Sequence, residues 1–231
     1  MNPTRILITG FEPFPGAPFN PTGPLVERLM KLRRPALSDV ERISHIFPVT
    51  YGAVDRDLPH LVARHAPDAL LMFGLAQRTP HVRIETRARN DITTIWPDAG
   101  HTRIRLGKIE PGGPPALYFG PHSELLLRAA QDTGVPSASS RNAGRYLCNY
   151  LSWRAIETVQ RTREGAEGPR LAAFIHVPLV PRATLQQRAG KRSQTTLDDL
   201  VEVGEAALLT MIKLARRMPK SPARPDMRAV A

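Results

Sequence analysis

The chain holds a single cysteine, Cys148, in 231 residues. No intrachain disulfide can form, paired-cysteine metal motifs are excluded, and a reducing compartment, the cytoplasm, is the natural setting. Long apolar runs are missing too. Met1-Asn2-Pro3-Thr4-Arg5 leads only into a short apolar segment, and no run of about 18 apolar residues occurs, so neither a membrane span nor a signal peptide is expected. Aromatics make up only 6% of the residues, and no RRM or KH signature is present, which argues against nucleic acid as a partner. There is no Gly-rich phosphate loop and no HExxH, and the seven histidines are dispersed, so neither a metal nor a cofactor is expected. Acidic residues are outnumbered, 21 against 32 Lys and Arg, for a net charge of +11. From Lys213 onward six basic residues face Asp226 alone, placing +5 of that charge at the end of the chain. Residues 218–231 carry Pro219, Pro222 and Pro225 and read as a disordered basic tail. The rest is arginine spread over helix faces and loops, a solvated surface.

What is present suffices for one core. Hydrophobic residues make up 42% of the chain, consistent with a single domain over residues 1–217. Arg5 to Thr9, Ile43 to Val49, Ala69 to Phe73 and Leu171 to Val177 read as strands, the first and third stopped at Gly10 and Gly74 and the last by Pro178. Thr22 to Lys31, Tyr51 to His65 and Ser123 to Gln131 read as amphipathic helices. A small-residue strand, Val135 to Ala138, precedes the cysteine helix. Thr195-Thr196-Leu197-Asp198-Asp199 opens a last helix with capping residues and first-turn acids, complemented at its far end by Lys213, Arg216 and Arg217. Alternating strand and helix predicts a three-layer α/β/α fold with a mostly parallel central sheet. Val82 to Asn90 alternates apolar residues with arginines, which puts Glu85 on the arginine-bearing face. Thr93 to Pro115 is turn-rich, with a hairpin expected around His101 to Leu106 and a role as a flap or subunit contact. Arg182 to Gln194 reads as a basic loop.

Three features bear chemistry, and each has a plain alternative. Cys148 lies near the start of a helix whose apolar face holds Leu147, Tyr150, Leu151, Ala155 and Thr158, so the thiol sits at the rim of the buried face. Backbone N–H groups and the helix dipole favour a thiolate there, whereas a cysteine without partners is inert filler. His176, at the carboxyl end of the most apolar strand, points to the ligand edge of the sheet or is a hydrogen-bonded core histidine. Glu85, on the arginine-bearing face, carries only the plain reading here, a surface ion pair with one of those arginines. The proline-rich loop with Phe11, Phe14 and Phe19 lines a pocket past a strand end or packs on its own domain. Thiol catalysis needs a thiolate, an imidazole to carry the proton and a third group to fix the imidazole's tautomer. Cys148, His176 and an acid supply these residue types, although spacing alone does not show that they touch.

The blocks around these residues resemble a known family. Ile8-Thr9-Gly10-Phe11-Glu12-Pro13-Phe14 with Asn20-Pro21, Ile84-Glu85 with Asn90, Gly144 to Asn149, and Phe174-Ile175-His176-Val177-Pro178 follow the order seen in the type I pyroglutamyl peptidases (pyrrolidone-carboxylate peptidases). These are cysteine omega-peptidases. The resemblance spans roughly Arg5 to Arg216 and implies their phosphorylase-like fold, with Cys148 as nucleophile, His176 as general base and acid, and Glu85 as orienting carboxylate. It further implies Phe11 and Phe14 as contacts of the lactam ring, with Leu75, Trp96, Tyr146 and Leu147 as further substrate-binding residues. The substrates would be small peptides with N-terminal pyroglutamate, no cofactor would be used, and the assembly would be a homotetramer. Three departures stand out: Gln77-Arg78 replaces a glycine pair, Ile95 stands where the family has an arginine, and Arg145-Tyr146 replaces Thr-Phe. Two other readings are a homologue that binds N-acylated peptides without turnover and a basic nucleic-acid-binding protein.

Overall fold

Apolar residues in two-residue alternation build the centre of the molecule. In the computed structural model, which describes residues 3–165, 167–180 and 195–218, β1 (Thr4–Phe11) sends Ile6 and Ile8 to one face and Leu7 to the other. With β2 (Val40–Phe47), β3 (Ala69–Leu75), β4 (Val82–Glu85), β7 (Ser137–Ser140) and β8 (Leu171–Val177) it forms a six-stranded sheet in the order β2-β1-β3-β8-β4-β7. The first four strands in that order are parallel; β4 runs antiparallel to β8 and parallel to β7. A separate pair, β5 (Arg87–Arg89) and β6 (Ala116–Tyr118), is antiparallel.

Helices cover both faces, giving the expected three layers. α1 (Thr22–Lys31), α3 (His122–Gln131) and α5 (Leu197–Arg217) bury Leu25, Leu29, Leu126, Leu208 and Met211 against Ile6, Ile8, Leu71 and Phe73. On the other face α2 (Tyr51–His65) and α4 (Leu147–Arg163) pack Val54, Leu58, Leu151 and Trp153 on Leu7, Leu70, Met72 and Phe174. Local chemistry sets the helix starts. Thr50 accepts from Ala53 N at the head of α2, and Thr196 and Asp199 form a reciprocal capping box at the head of α5. Among the described residues no helix is long and apolar enough to cross a membrane.

The fold departs from expectation in four places. β2 starts at Val40 rather than Ile43. The small-residue strand runs from Ser137 to Ser140 instead of 135 to 138, because Pro136 offers no N–H and its carbonyl instead receives Val82 N. The alternating run from Val82 to Asn90 breaks at Thr86, whose N and Oγ1 both donate to Ser140 O, and the chain then leaves the main sheet for the β5–β6 pair. No hairpin forms at His101–Leu106. That segment is instead pinned by side chains: Asp98 accepts from the N–H groups of Tyr51, Gly100 and Thr102, and Asn90 accepts from those of Ile109 and Glu110. The basic loop at 182–194 lies outside the described residues, and so does the tail beyond Met218.

The topology has one consequence for chemistry. The carboxyl ends of β3 and β8 coincide, with Gly74 opposite His176, while antiparallel β4 returns past them with Arg83 opposite His176 and Glu85 opposite Phe174. Residues 91 positions apart, Glu85 and His176, thereby become neighbours.

Candidate active site

Gly144 takes a positive φ of 83°, a conformation natural to glycine, and turns the chain into α4. Tyr146 is the N-cap and Leu147 the first helical residue, so Cys148 is the second. The first hydrogen bond across this turn, Tyr150 N to Tyr146 O, leaves the N–H groups of Leu147 and Cys148 pointing out of the helix start, where a developing oxyanion is best held. Buried Asn149 fixes this turn to β5: its side chain accepts from Arg89 N and donates to Arg89 O and Asp91 O. Tyr146 adds a second anchor by donating to Pro97 O. Cys148 itself is partly buried and faces a cavity of about 610 Å³.

His176 Nδ1 lies 2.8 Å from Glu85 Oε1, and the imidazole also hydrogen-bonds the Cys148 side chain. Nδ1 therefore carries its proton toward the carboxylate, leaving Nε2 for the sulfur. Burial drives the imidazole down, but the Cys148 sulfur and then Glu85 drive it up, and the balance is about 9. Beside an ionised sulfur the ring thus holds its proton and can release it to a leaving group. Glu85 is buried, yet its Oε1 also receives Arg83 Nη2 at 2.9 Å, while Oε2 has no partner among the described residues. The ring of Phe174 packs edge-on to His176, with centroids 5.0 Å apart.

Of the residues singled out in the sequence, Phe11, Phe14, Leu75, Tyr146, Leu147, Cys148 and His176 line the same cavity, and Glu85 stands directly behind His176. The aromatic loop is held as a wall: Phe14 and Ala17 exchange backbone hydrogen bonds, Asn20 ties Glu12 O to the start of α1, and Gln77 Nε2 donates to Gly16 O. Trp96 stands apart from these residues. It is 68% exposed and does not line the cavity, and neighbouring Ile95 faces outward as well, while Asp98 and Asn90 grip backbone further along the chain, at Gly100, Thr102, Ile109 and Glu110.

Two further positions meet the site. Arg83, which the alternation places among solvated arginines, lines the cavity; its side chain is only 20% exposed, and it reaches Glu85, Ser140 Oγ and Asn142 O. Its spacing two residues before Glu85, on the same strand face, was the available signal. Gly74, in sequence simply the stop of a strand, is the other. A Cβ there would lie 2.8 Å from Cys148 Sγ and 2.6 Å from Phe174 Cζ. The Gly74→Ala enzyme is therefore expected to lose about 10- to 100-fold in kcat/KM and roughly 1–3 kcal/mol in stability, since the thiol and the ring beneath the imidazole must both shift. Steady-state kinetics and a denaturant titration check this, and wild-type activity in the alanine variant would refute the close seat of the thiol.

Comparison with known proteins points the same way. The sequence profile of the pyroglutamyl peptidase family matches residues 4–214. The pyrrolidone-carboxylate peptidase of Thermococcus onnurineus is 31% identical over 209 residues, covering 90% of this chain and 99% of that protein. The Vibrio vulnificus pyrrolidone-carboxylate peptidase is 33% identical over 212 residues, covering 90% and 93%. The crystal structure of pyroglutamyl peptidase I from Bacillus amyloliquefaciens superposes with a TM-score of 0.76 at 26% identity, covering 91% of this chain and 97% of that one.

Proposed function

The chain belongs to the pyroglutamyl peptidase family, and from that premise we propose that it hydrolyses the amide after an N-terminal pyroglutamyl residue with Cys148 as nucleophile, His176 as proton carrier and Glu85 as the carboxylate that orients the ring. One observation carries this reading. The cysteine, imidazole and carboxylate stand in line at the wall of a cavity whose other walls include Phe11, Phe14, Leu75 and Leu147. A pyroglutamyl ring is a flat, neutral lactam. It gains from apolar faces and needs no carboxylate to hold an amino terminus, and no aspartate or glutamate lines the cavity among the described residues.

The reaction follows from the geometry. The Cys148 thiolate attacks the carbonyl joining the lactam to the next residue, and the oxyanion forms at the N–H groups of the α4 start. The tetrahedral intermediate collapses as the His176 imidazolium gives its proton to the departing amine, leaving a thioester and a neutral imidazole. That imidazole, still held by Glu85, takes a proton from water as the water attacks the thioester. Pyroglutamate leaves and the proton returns to the Cys148–His176 pair. Residues 1–217 form the catalytic unit in this reading, which also includes a reducing, cytoplasmic setting for the free thiol and a homotetramer. The exposed apolar side chains of Ile95, Trp96 and Leu106 are available for subunit contact.

The direct test is hydrolysis of a fluorogenic pyroglutamyl anilide under reducing conditions beside the alanyl and prolyl anilides. Turnover of the first alone is the expected result. Failure to cleave it, or equal cleavage of substrates with a free amino terminus, would remove the proposal.

A further inference from the structure

We propose that the cavity selects pyroglutamyl peptides carrying a carboxylate just beyond the scissile amide, drawn in by Arg78 with Arg83 behind it. This rests on the peptidase reading and concerns the part of the substrate that follows the lactam. Arg78 and Arg83 both line the cavity. Arg78 is exposed and has no hydrogen bond or ion pair with another described residue. Arg83 is tied through Nη2 alone to Glu85, Ser140 and Asn142, which leaves Nε and Nη1 without a described partner.

The charges around the sulfur do not cancel. With the proton on the imidazole, two guanidiniums and an imidazolium face one thiolate and one carboxylate. With the proton on sulfur, two guanidiniums face the Glu85 carboxylate alone. Either way one positive charge remains, and it persists in the thioester, where sulfur and imidazole are both neutral. The rim adds to it: Arg87 and Arg89 donate to the carbonyls of Arg141 and Gly144, on the loop that forms the cavity wall beside Asn142. A neutral lactam makes no use of such a field. The segment beyond the scissile bond is the part of the substrate that can carry the complementary charge, either as an acidic side chain or as the terminal carboxylate of a pyroglutamyl dipeptide.

A carboxylate so placed is remote from the reacting atoms and is bound alike in the ground and transition states, so its effect falls on KM and leaves kcat little changed. The experiment compares two isosteric pairs on the wild-type enzyme, pyroglutamyl-glutamyl amide against pyroglutamyl-glutaminyl amide, and pyroglutamyl-alanine against its amide. The acid member of at least one pair is expected to show a KM about 3- to 5-fold lower, as for a partly exposed charge pair. Which pair shows it tells side-chain acid from terminal acid. The advantage shrinks as ionic strength rises. It falls toward unity in Arg78→Gln and survives largely intact in Arg78→Lys. Equal KM values within both pairs, or an acid preference unchanged in Arg78→Gln, overturn the proposal while the peptidase reading stands. Failure to cleave any of the four overturns both.

Discussion

Replacing Cys148 with alanine lowers turnover of a pyroglutamyl amide by about four orders of magnitude or more, to whatever rate binding and the oxyanion site sustain alone. Neither the lactam nor the leaving amine supplies a nucleophile. The other hydroxyl-bearing side chains in the cavity wall, Thr79 and Tyr146, have no imidazole against them; the Tyr146 phenol is pushed up to about 12, chiefly by burial, and its proton is committed to Pro97 O. The single cysteine makes the chemical version of the test unambiguous, because one carbamidomethyl group per chain must account for all the loss. Iodoacetamide is expected to inactivate the wild-type enzyme with one equivalent incorporated, and a pyroglutamyl ligand in the cavity protects it. Cys148→Ser is expected to be nearly as inactive, since a serine hydroxyl does not yield its proton to the ring as a thiol does. Substantial turnover by the alanine variant, with circular dichroism of the folded protein unchanged, would end the thiol mechanism.

Much of this site was legible before any coordinates, for identifiable physical reasons. Helix α2 and strand β8 fall where the sequence puts them because their ends are punctuated by local chemistry: Thr50 caps α2, Ala66 in the left-handed region ends it, and Pro178 stops β8. Cys148 and His176 stand out for the same reason, one at a helix start and the other at the end of an unbroken apolar run. Glu85 was harder. Arginines at 83, 87 and 89 make its face look solvated, and only the return of β4 alongside β8 buries it. The alternation that carries Val82 to Asn90 continues through Thr86 although the chain changes sheets there, because a two-residue period records which face a side chain takes but not which strand lies beside it. Trp96 could not be placed for a related reason. Its segment has no periodicity, and its course is set by Asp98 and Asn90 gripping distant backbone.

The unusual sharing of Glu85 Oε1 makes Glu85→Gln an informative variant. Both donors, His176 Nδ1 and Arg83 Nη2, meet the same oxygen, and the second oxygen has no partner among the described residues. A glutamine can place its carbonyl oxygen where Oε1 stands and keep both hydrogen bonds, setting its NH2 in the unpartnered position. The substitution therefore removes the charge and leaves the geometry. The groups around the imidazole are the Cys148 sulfur from α4, Glu85 and Arg83 from β4, the Phe174 ring from its own strand and the backbone of Gly74 from β3. Of these, Cys148 and Glu85 raise the ring against its burial, to about 9. Neutralising the carboxylate lowers that value, and the imidazolium needed by the leaving amine is present below it and lost as pH rises through it. The alkaline limb of kcat/KM is thus expected to move to lower pH, with a fall of about 100-fold near neutrality. Glu85→Ala, which also releases the ring and leaves Arg83 facing an imidazolium with no anion between them, is expected to fall about 10³- to 10⁴-fold. An alkaline limb that stays in place, with glutamine and alanine equally impaired, would mean that Glu85 serves only to pack β4 against β8. Separate positions for the two variants would mean that its charge and its geometry act on the reaction as distinct contributions, which a single alanine substitution cannot resolve.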